Sequence, residues 1–288
     1  MKIYLFLEKL FFTLASLYKV LFFSKYRSDV LKLKASDKKC YILGNGPSLN
    51  QGLSDYSEDL KQAELIAVNF FAISDLYEQL QPKYYVLADP NFFFDEPTTE
   101  VNKKAVTLFD EMQNRTTWDL FLLIPYEAYK YVAPRLRSNP NIHIIRYNKV
   151  SCRKTFLWFD RIVHNNQLAI FSGMNVVTVA SYLAIVIGFK EIHLLGVDHS
   201  WLKNYIVGKD NIVYFENPHF YDKSKKNLIP LDNEINPITK KACKFHELLM
   251  CDVVNFETYH LIEEYAQYKN VKILNRCLDS YIDAFEKK

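Results

Sequence analysis

Between Cys40 and Asp198 the chain repeats one pattern: a short, almost unbroken apolar run that stops at Gly, Asn, Asp or Pro, followed by a longer stretch of mixed residues. Apolar runs of this length without polar alternation suit strands covered on both faces, and helical segments between them supply the crossovers a parallel sheet requires. Cys40-Leu43, Leu65-Val68, Tyr84-Ala88, Leu120-Ile124, Ile142-Tyr147 and Ile192-Leu195 are read as strands. Phe71-Leu80 and the nearly all-apolar Met174-Ile187 are read as helices, the second beginning after Ser172-Gly173. The expected fold class is α/β, a doubly wound and mostly parallel sheet.

From His199 to Asn236 the periodicity fades while aromatics, Asn, Lys and Pro accumulate. A stretch of that length without regular structure is expected to be a lid or binding loop, at about residues 199-236. A helical run near Pro237-Tyr268, a strand at Val271-Leu274 and a turn at Asp279-Phe285 close the chain.

The N-terminus forms a unit of its own, with residues 1-35 expected as an amphipathic helix and 36-288 as the main domain. Glu8, Lys9 and Lys19 interrupt the apolar stretch Met1-Phe23, and the uncharged run Leu10-Tyr18 is too short to span a bilayer. At about 100° per residue the three charges gather on one side, opposite Phe6, Leu7, Leu10, Leu14, Leu17 and Leu21. Two readings stand equal. Residues 1-25 contact a membrane surface, with Lys25 and Arg27 suited to anionic headgroups, or the helix packs on the protein's own core or on a dimer partner.

Charge narrows the partners. Thirty-six Lys and Arg against 33 Asp and Glu leave +3 over 288 residues, with no clustered basic stripe, so nucleic acid is not an expected partner. The five cysteines are odd in number and widely spaced, without a C-x-x-C pair; they read as reduced thiols of a cytoplasmic protein.

In open α/β sheets ligands bind beyond the C-terminal strand ends. The first such end carries Gly44-Asn45-Gly46-Pro47-Ser48, where glycines allow a sharp turn close to an anion and Asn45 and Ser48 add hydrogen-bonding side chains. The turn is neither G-x-G-x-x-G nor a P-loop, and alone it is equally an ordinary bend. Its companions strengthen the binding reading: Asn69, Asp89-Pro90, Ser172-Gly173 and Gly196-Val197-Asp198 all stand at strand or helix ends. Each has a plain alternative, namely helix caps for Asn69 and Ser172-Gly173 and turn carboxylates for Asp89 and Asp198. No D-x-D follows a strand, so no metal site is expected. Trp201, Phe220 and Tyr221 offer faces for stacking on a sugar or for covering the core.

Gly44-Asn45-Gly46-Pro47-Ser48-Leu49, Asn69, Ser172-Gly173 and Gly188-Phe189-Lys190-Glu191-Ile192 leading to Gly196-Val197-Asp198 resemble, in order and spacing over roughly residues 40 to 200, the bacterial sialyltransferases of glycosyltransferase family 42. The resemblance implies a Rossmann-like domain with a flexible lid, a CMP-sugar donor, no required metal or other cofactor, and a lid histidine as general base. By position that base is His219, with His199 as competitor. In that family tyrosines after the aspartate contact the leaving phosphate; here the first such position is Ser200 and no tyrosine stands at the second, although Tyr205 lies close. The Gly-x-Gly-Pro-Ser-Leu and Asp-Pro elements are also similar to the DUF115 group, related to the MptE-like 6-hydroxymethylpterin diphosphokinases.

Two functions follow as expectations. The first is a metal-independent, inverting, CMP-sugar-dependent glycosyltransferase acting on a glycan or glycolipid precursor at the inner face of the cytoplasmic membrane, with a homo-oligomer as one expected assembly. The second is a pterin diphosphokinase-like transferase using ATP and Mg, with Asp89 and Asp198 as carboxylates.

Overall fold

The computed structural model describes residues 2–36, 39–172, 174–216, 228–232, 235 and 239–288. After helix α1 (Lys2–Phe23), the chain alternates as expected: β1 (Lys39–Leu43), α2 (Leu49–Asp55), α3 (Ser57–Leu60), β2 (Glu64–Val68), α4 (Leu76–Leu80), β3 (Tyr84–Val86), α5 (Glu100–Arg115), β4 (Leu120–Pro125), α6 (Tyr129–Leu136) and β5 (Ile142–Tyr147). There follow α7 (Leu157–Asn165), α8 (Val176–Ile187) and β6 (Glu191–Leu195). Three short strands come next, β7 (Tyr205–Val207), β8 (Val213–Glu216) and β9 (Leu228–Pro230), and then α9 (Phe245–Tyr268), β10 (Lys272–Asn275) and β11 (Glu286–Lys287).

The main sheet has eight strands in the order β11-β10-β6-β1-β2-β3-β4-β5, and all its pairings are parallel. The chain winds outward from β1 to β5, then returns to lay β6 on the other side of β1. The strand order therefore reverses between β1 and β6.

Successive residues of β1 feed opposite cores, as the two-residue period of a strand requires. Cys40 and Ile42 join the face packed by α8 and α9, while Tyr41 and Leu43 join the face packed by α5 and α6. Helix α8 has almost no polar side because it is sandwiched between the sheet and α9, and ten of its twelve residues are buried. Gly188, at φ 112°, ends it in a left-handed turn that returns the Phe189 N–H to the Ala184 carbonyl.

Several boundaries differ from expectation. The helix read from Met174 starts at Val176, because the Asn175 side chain accepts the Val177 N–H at 2.8 Å and caps it; Ser172 lies upstream and does not open it. The segment read as Phe71-Leu80 is a 3-10 turn at Asn69–Ile73 followed by the shorter α4. The long helix begins at Phe245, where Lys244 and Glu247 form its first turn, and not near Pro237. Residues 199-236, expected to lack regular structure, hold β7, β8 and β9 in an antiparallel sheet.

The strand ends at the reversal are in close contact. Gly44 N–H donates to the Leu195 carbonyl at 2.7 Å and Gly46 N–H to the Gly196 carbonyl at 2.8 Å. A Cβ on Gly44 would collide with the Gly196 carbonyl, and one on Gly46 with the Asp198 carboxylate. Gly196 itself sits at φ 65°. Substituting Gly44→Ala is expected to cost roughly 2–4 kcal/mol of stability, since rigid backbone must move; urea unfolding of the variant beside the parent measures the loss.

Candidate functional site

Above the β1–β6 reversal lies a cleft of about 810 Å³, within the range that ligand sites occupy. The strand ends line it: Gly44, Asn45, Gly46 and Pro47 after β1, Asn69 after β2, Asp89 and Pro90 after β3, and Gly196, Asp198, His199 and Ser200 after β6. One wall is the start of α8 at Asn175; the other wall holds Tyr205 and Phe215 of the small sheet with Asp252 and Asn255 of α9. The strand-end residues singled out from sequence thus share one cavity, apart from Ser48 and Ser172, which are not among its lining.

Three N–H groups of the turn after β1 are already engaged within the protein. Its Gly44 and Gly46 N–H groups are already bonded to the end of β6, and the Ser48 N–H donates to Asp198 Oδ2 at 3.3 Å. These three donors hold the two strand ends together and are not left open for a phosphate. The Ser48 hydroxyl turns away onto the Cys277 thiol at 3.3 Å, and the same sulfur accepts the Val197 N–H at 3.1 Å. Burial pushes the Cys277 thiol up, so it packs and accepts hydrogen bonds as a neutral group. Gly173 and His219 lie outside the described residues.

The side chains above that frame are less settled. Asn45 donates through its amide to the Val68 carbonyl at 3.2 Å, yet its Oδ1 is buried without a partner. Asn69 Oδ1 is in the same state. Its backbone, at φ 50°, is pinned by Tyr85, whose hydroxyl donates to the Asn69 carbonyl at 2.5 Å and accepts the Ala72 N–H at 2.9 Å. On the opposite wall Asp252 Oδ2 and Asn255 Oδ1 are also buried and unpartnered. An orphaned buried acceptor costs about 1–3 kcal/mol, and four of them belong to residues that line this one cavity. Burial raises the Asp252 carboxyl above its ordinary value, a contact with Tyr205 opposing it. Asp89 spends Oδ1 on the Asn91 N–H at 2.8 Å, a turn carboxylate that nevertheless lines the cleft.

His199 stacks on Trp201 at 4.2 Å between ring centres and meets the Tyr259 hydroxyl at 3.0 Å through Nδ1. Asn175 Nδ2 reaches the same Tyr259 hydroxyl at 3.1 Å. These neighbours strip water from the imidazolium and bring its pKa down to about 3, so His199 is neutral throughout the physiological range. A base so weak is poorly matched to proton abstraction near neutrality. His193 is buried between Glu191 and Arg276, and His143 pairs with Asp119 at the surface.

Sequence reading missed Asn175, Asp252 and Asn255. A signal for the last two exists. Leu248, Asp252, Asn255, Tyr259, Ile262 and Ala266 are spaced alternately by four and three, the buried stripe of a helix, and a carboxylate beside an amide in that stripe marks a polar cavity. Among the described residues no group of three His, Cys, Asp or Glu is arranged to hold a metal ion.

The model of the family described as "6-hydroxymethylpterin diphosphokinase MptE-like" matches residues 14–204. Among solved structures, the MAf glycosyltransferase from Magnetospirillum magneticum AMB-1 aligns with 92% of this chain at 12% identity and a TM-score of 0.48; the chain spans 36% of that protein. The sialyltransferase CstII from Campylobacter jejuni, solved with the substrate analogue CMP-3FNeuAc, aligns with 87% of this chain and 85% of its own at 17% identity and a TM-score of 0.41. Among curated proteins no match was found.

Two imidazoles carry a pH signature. His199 at about 3 and His164 at about 4, the latter stacked flat on Phe171, both take up a proton more readily in the unfolded chain. Their contribution to stability is complete above the unfolded value of about 6.5 and is lost as pH falls below it toward the folded values. Urea midpoints are expected to drop between pH 6.5 and 5, and the ring signals of both histidines in NMR should stay unprotonated there.

Proposed function

We propose, for a chain that belongs to the 6-hydroxymethylpterin diphosphokinase MptE-like family, that the cleft transfers a sugar from a nucleotide-linked donor, CMP-linked and sialic-acid-like, to a glycan or glycolipid hydroxyl. The observation carrying this reading is the ring of orphaned acceptors. Asn45 and Asn69 at the β1 and β2 ends meet the donor groups of a nucleotide, its base amine and ribose hydroxyls. Asp252 and Asn255 face them with oxygens that only a further set of donors satisfies. A saccharide presents hydroxyl donors on its edges and apolar faces above and below, which suits that wall beside Trp201, Tyr205 and Phe215.

Inverting transfer requires one proton acceptor. The acceptor hydroxyl loses its proton to a base as its oxygen attacks the anomeric carbon, and the bond from that carbon to the phosphate oxygen breaks with its electron pair leaving on the nucleotide. Two residues compete for the base. His219 is favoured by the resemblance to the sialyltransferases. Asp252 is favoured by its buried, unpartnered oxygen in the cleft and by a pKa moved toward neutrality. Tyr205 stands at the cleft wall beside Asp252.

A second reading has its own support. The family description, together with Asp89 and Asp198 in the same cleft, favours diphosphate transfer from ATP with Mg²⁺ held by those carboxylates. The two separate on one assay. Release of CMP from CMP-sialic acid in the presence of chelator supports glycosyl transfer. No CMP release, with AMP formed from ATP, Mg²⁺ and 6-hydroxymethylpterin, would replace it with the second reading.

Three variants refine the site. Asn69→Ala is expected to weaken CMP binding by about five- to tenfold in calorimetry, the worth of one or two hydrogen bonds. Asp252→Asn is expected to lower kcat by roughly a hundredfold or more, with donor affinity little changed, while His219→Ala leaves more activity. Because the folded carboxyl is raised, its ionised form at neutral pH opposes folding. Asp252→Asn should therefore also raise Tm, by roughly 1–3 °C; a lowered Tm would remove Asp252 from this role.

A further inference from the structure

Helix α1 is mounted with its polarity reversed. The residues it turns inward are Thr13, Ser16 and Val20. Thr13 accepts the Phe156 N–H at 3.0 Å, and Val20 packs with Cys152, Phe159, Val163 and Ala169. On the opposite side, at about 100° per residue, lie Leu7, Leu10, Phe11, Leu14, Tyr18 and Phe22, all exposed, with Phe11 at 67%, Leu14 at 57% and Tyr18 at 58%. The strip runs from Leu7 to Phe22 along the helix and is roughly 24 Å long. An apolar strip of that extent is not left in water without a partner.

Charge selects the partner. Residues 2–27 contain Lys2, Lys9, Lys19, Lys25 and Arg27 against Glu8 alone, a surplus of four, larger than the +3 of the whole chain. Glu8 is itself neutralised by Lys154 at 3.1 Å. A second copy meeting the same strip would bring the same positive surplus against itself, whereas a bilayer bearing anionic headgroups offers the opposite charge. The surroundings agree. Phe6 packs on Phe156 at 5.6 Å, and the next two residues, Leu157 and Trp158, are exposed at the start of α7, extending the apolar surface with a residue type that favours lipid headgroup regions. Among the described residues no helix is long and apolar enough to cross a membrane. We propose that α1 lies flat on an anionic bilayer, its outward strip among the upper acyl chains and its cations on the lipid phosphates. This inference stands independently of which group the cleft transfers.

Vesicle co-sedimentation of the full chain tests it, comparing phosphatidylcholine alone with phosphatidylcholine containing phosphatidylglycerol. Binding to the anionic vesicles is expected to be at least about tenfold tighter and to weaken with added salt. Leu14→Glu combined with Tyr18→Glu should abolish it while leaving thermal unfolding unchanged, since both side chains point away from the protein. Lys25→Gln with Arg27→Gln should weaken it by about tenfold or more. No sedimentation with either vesicle, equal sedimentation with both, or unimpaired binding by the glutamate pair would overturn the proposal. So would a dimer in light scattering that the glutamate pair dissociates without any vesicle binding, which assigns the strip to a second copy.

Discussion

Everything around the cleft depends on how closely the ends of β1 and β6 approach. Gly44 and Gly46 donate to the carbonyls of Leu195 and Gly196, and the Asp198 carboxylate closes the contact on the Ser48 N–H. There is no space between these backbones for a Cβ. The glycines are thus explained by the protein's own packing, and the N–H groups of Gly44, Gly46 and Ser48 serve that packing. The turn fixes the floor of the cavity; above it Asn45 and Asn69 each hold a buried oxygen without a partner.

That division of labour accounts for the cavity's character. The floor is satisfied and rigid, and Cys277 ties it from beneath through Val197 and Ser48. The rim, by contrast, holds unsatisfied acceptors and residues in sparsely populated backbone conformations, Asn69 at φ 50° and His199 at φ 42°. Such costs concentrate where a ligand repays them. Asp252 illustrates the cost, since burial destabilises its ionised form and raises its pKa.

The fold was legible because a parallel sheet covered on both faces writes its strands as unbroken apolar runs. Its edges were less so: Leu87 and Ala88 stay buried after β3 leaves the ladder, so composition alone carries the strand too far. The sheet β7-β8-β9 escaped because its strands are three or four residues long and mostly half-exposed, with no apolar run to announce them. In the site, strand-end residues such as Asn69, Asp89 and Asp198 were found by position. Asp252 and Asn255 were not, because they reach the cleft from a helix distant in sequence, and only their intrusion on a buried stripe betrays them. Chemistry attached to a strand end can be read locally; chemistry delivered by tertiary packing cannot.

The placement of β6 beside β1 also governs the order in which the molecule can assemble. Strands β1 to β5 can pair in the order they are synthesised, each on the last, but β1 keeps an open edge until residues 191–195 arrive. Its partner is separated from it by roughly 150 residues, and closing so long a loop is slow compared with pairing neighbours. The floor of the cleft therefore does not exist on a nascent chain that has completed only its first five strands. An exposed edge at the centre of the future sheet is an opportunity for mispairing with another chain, and the late arrival of β6 both removes that hazard and creates the site.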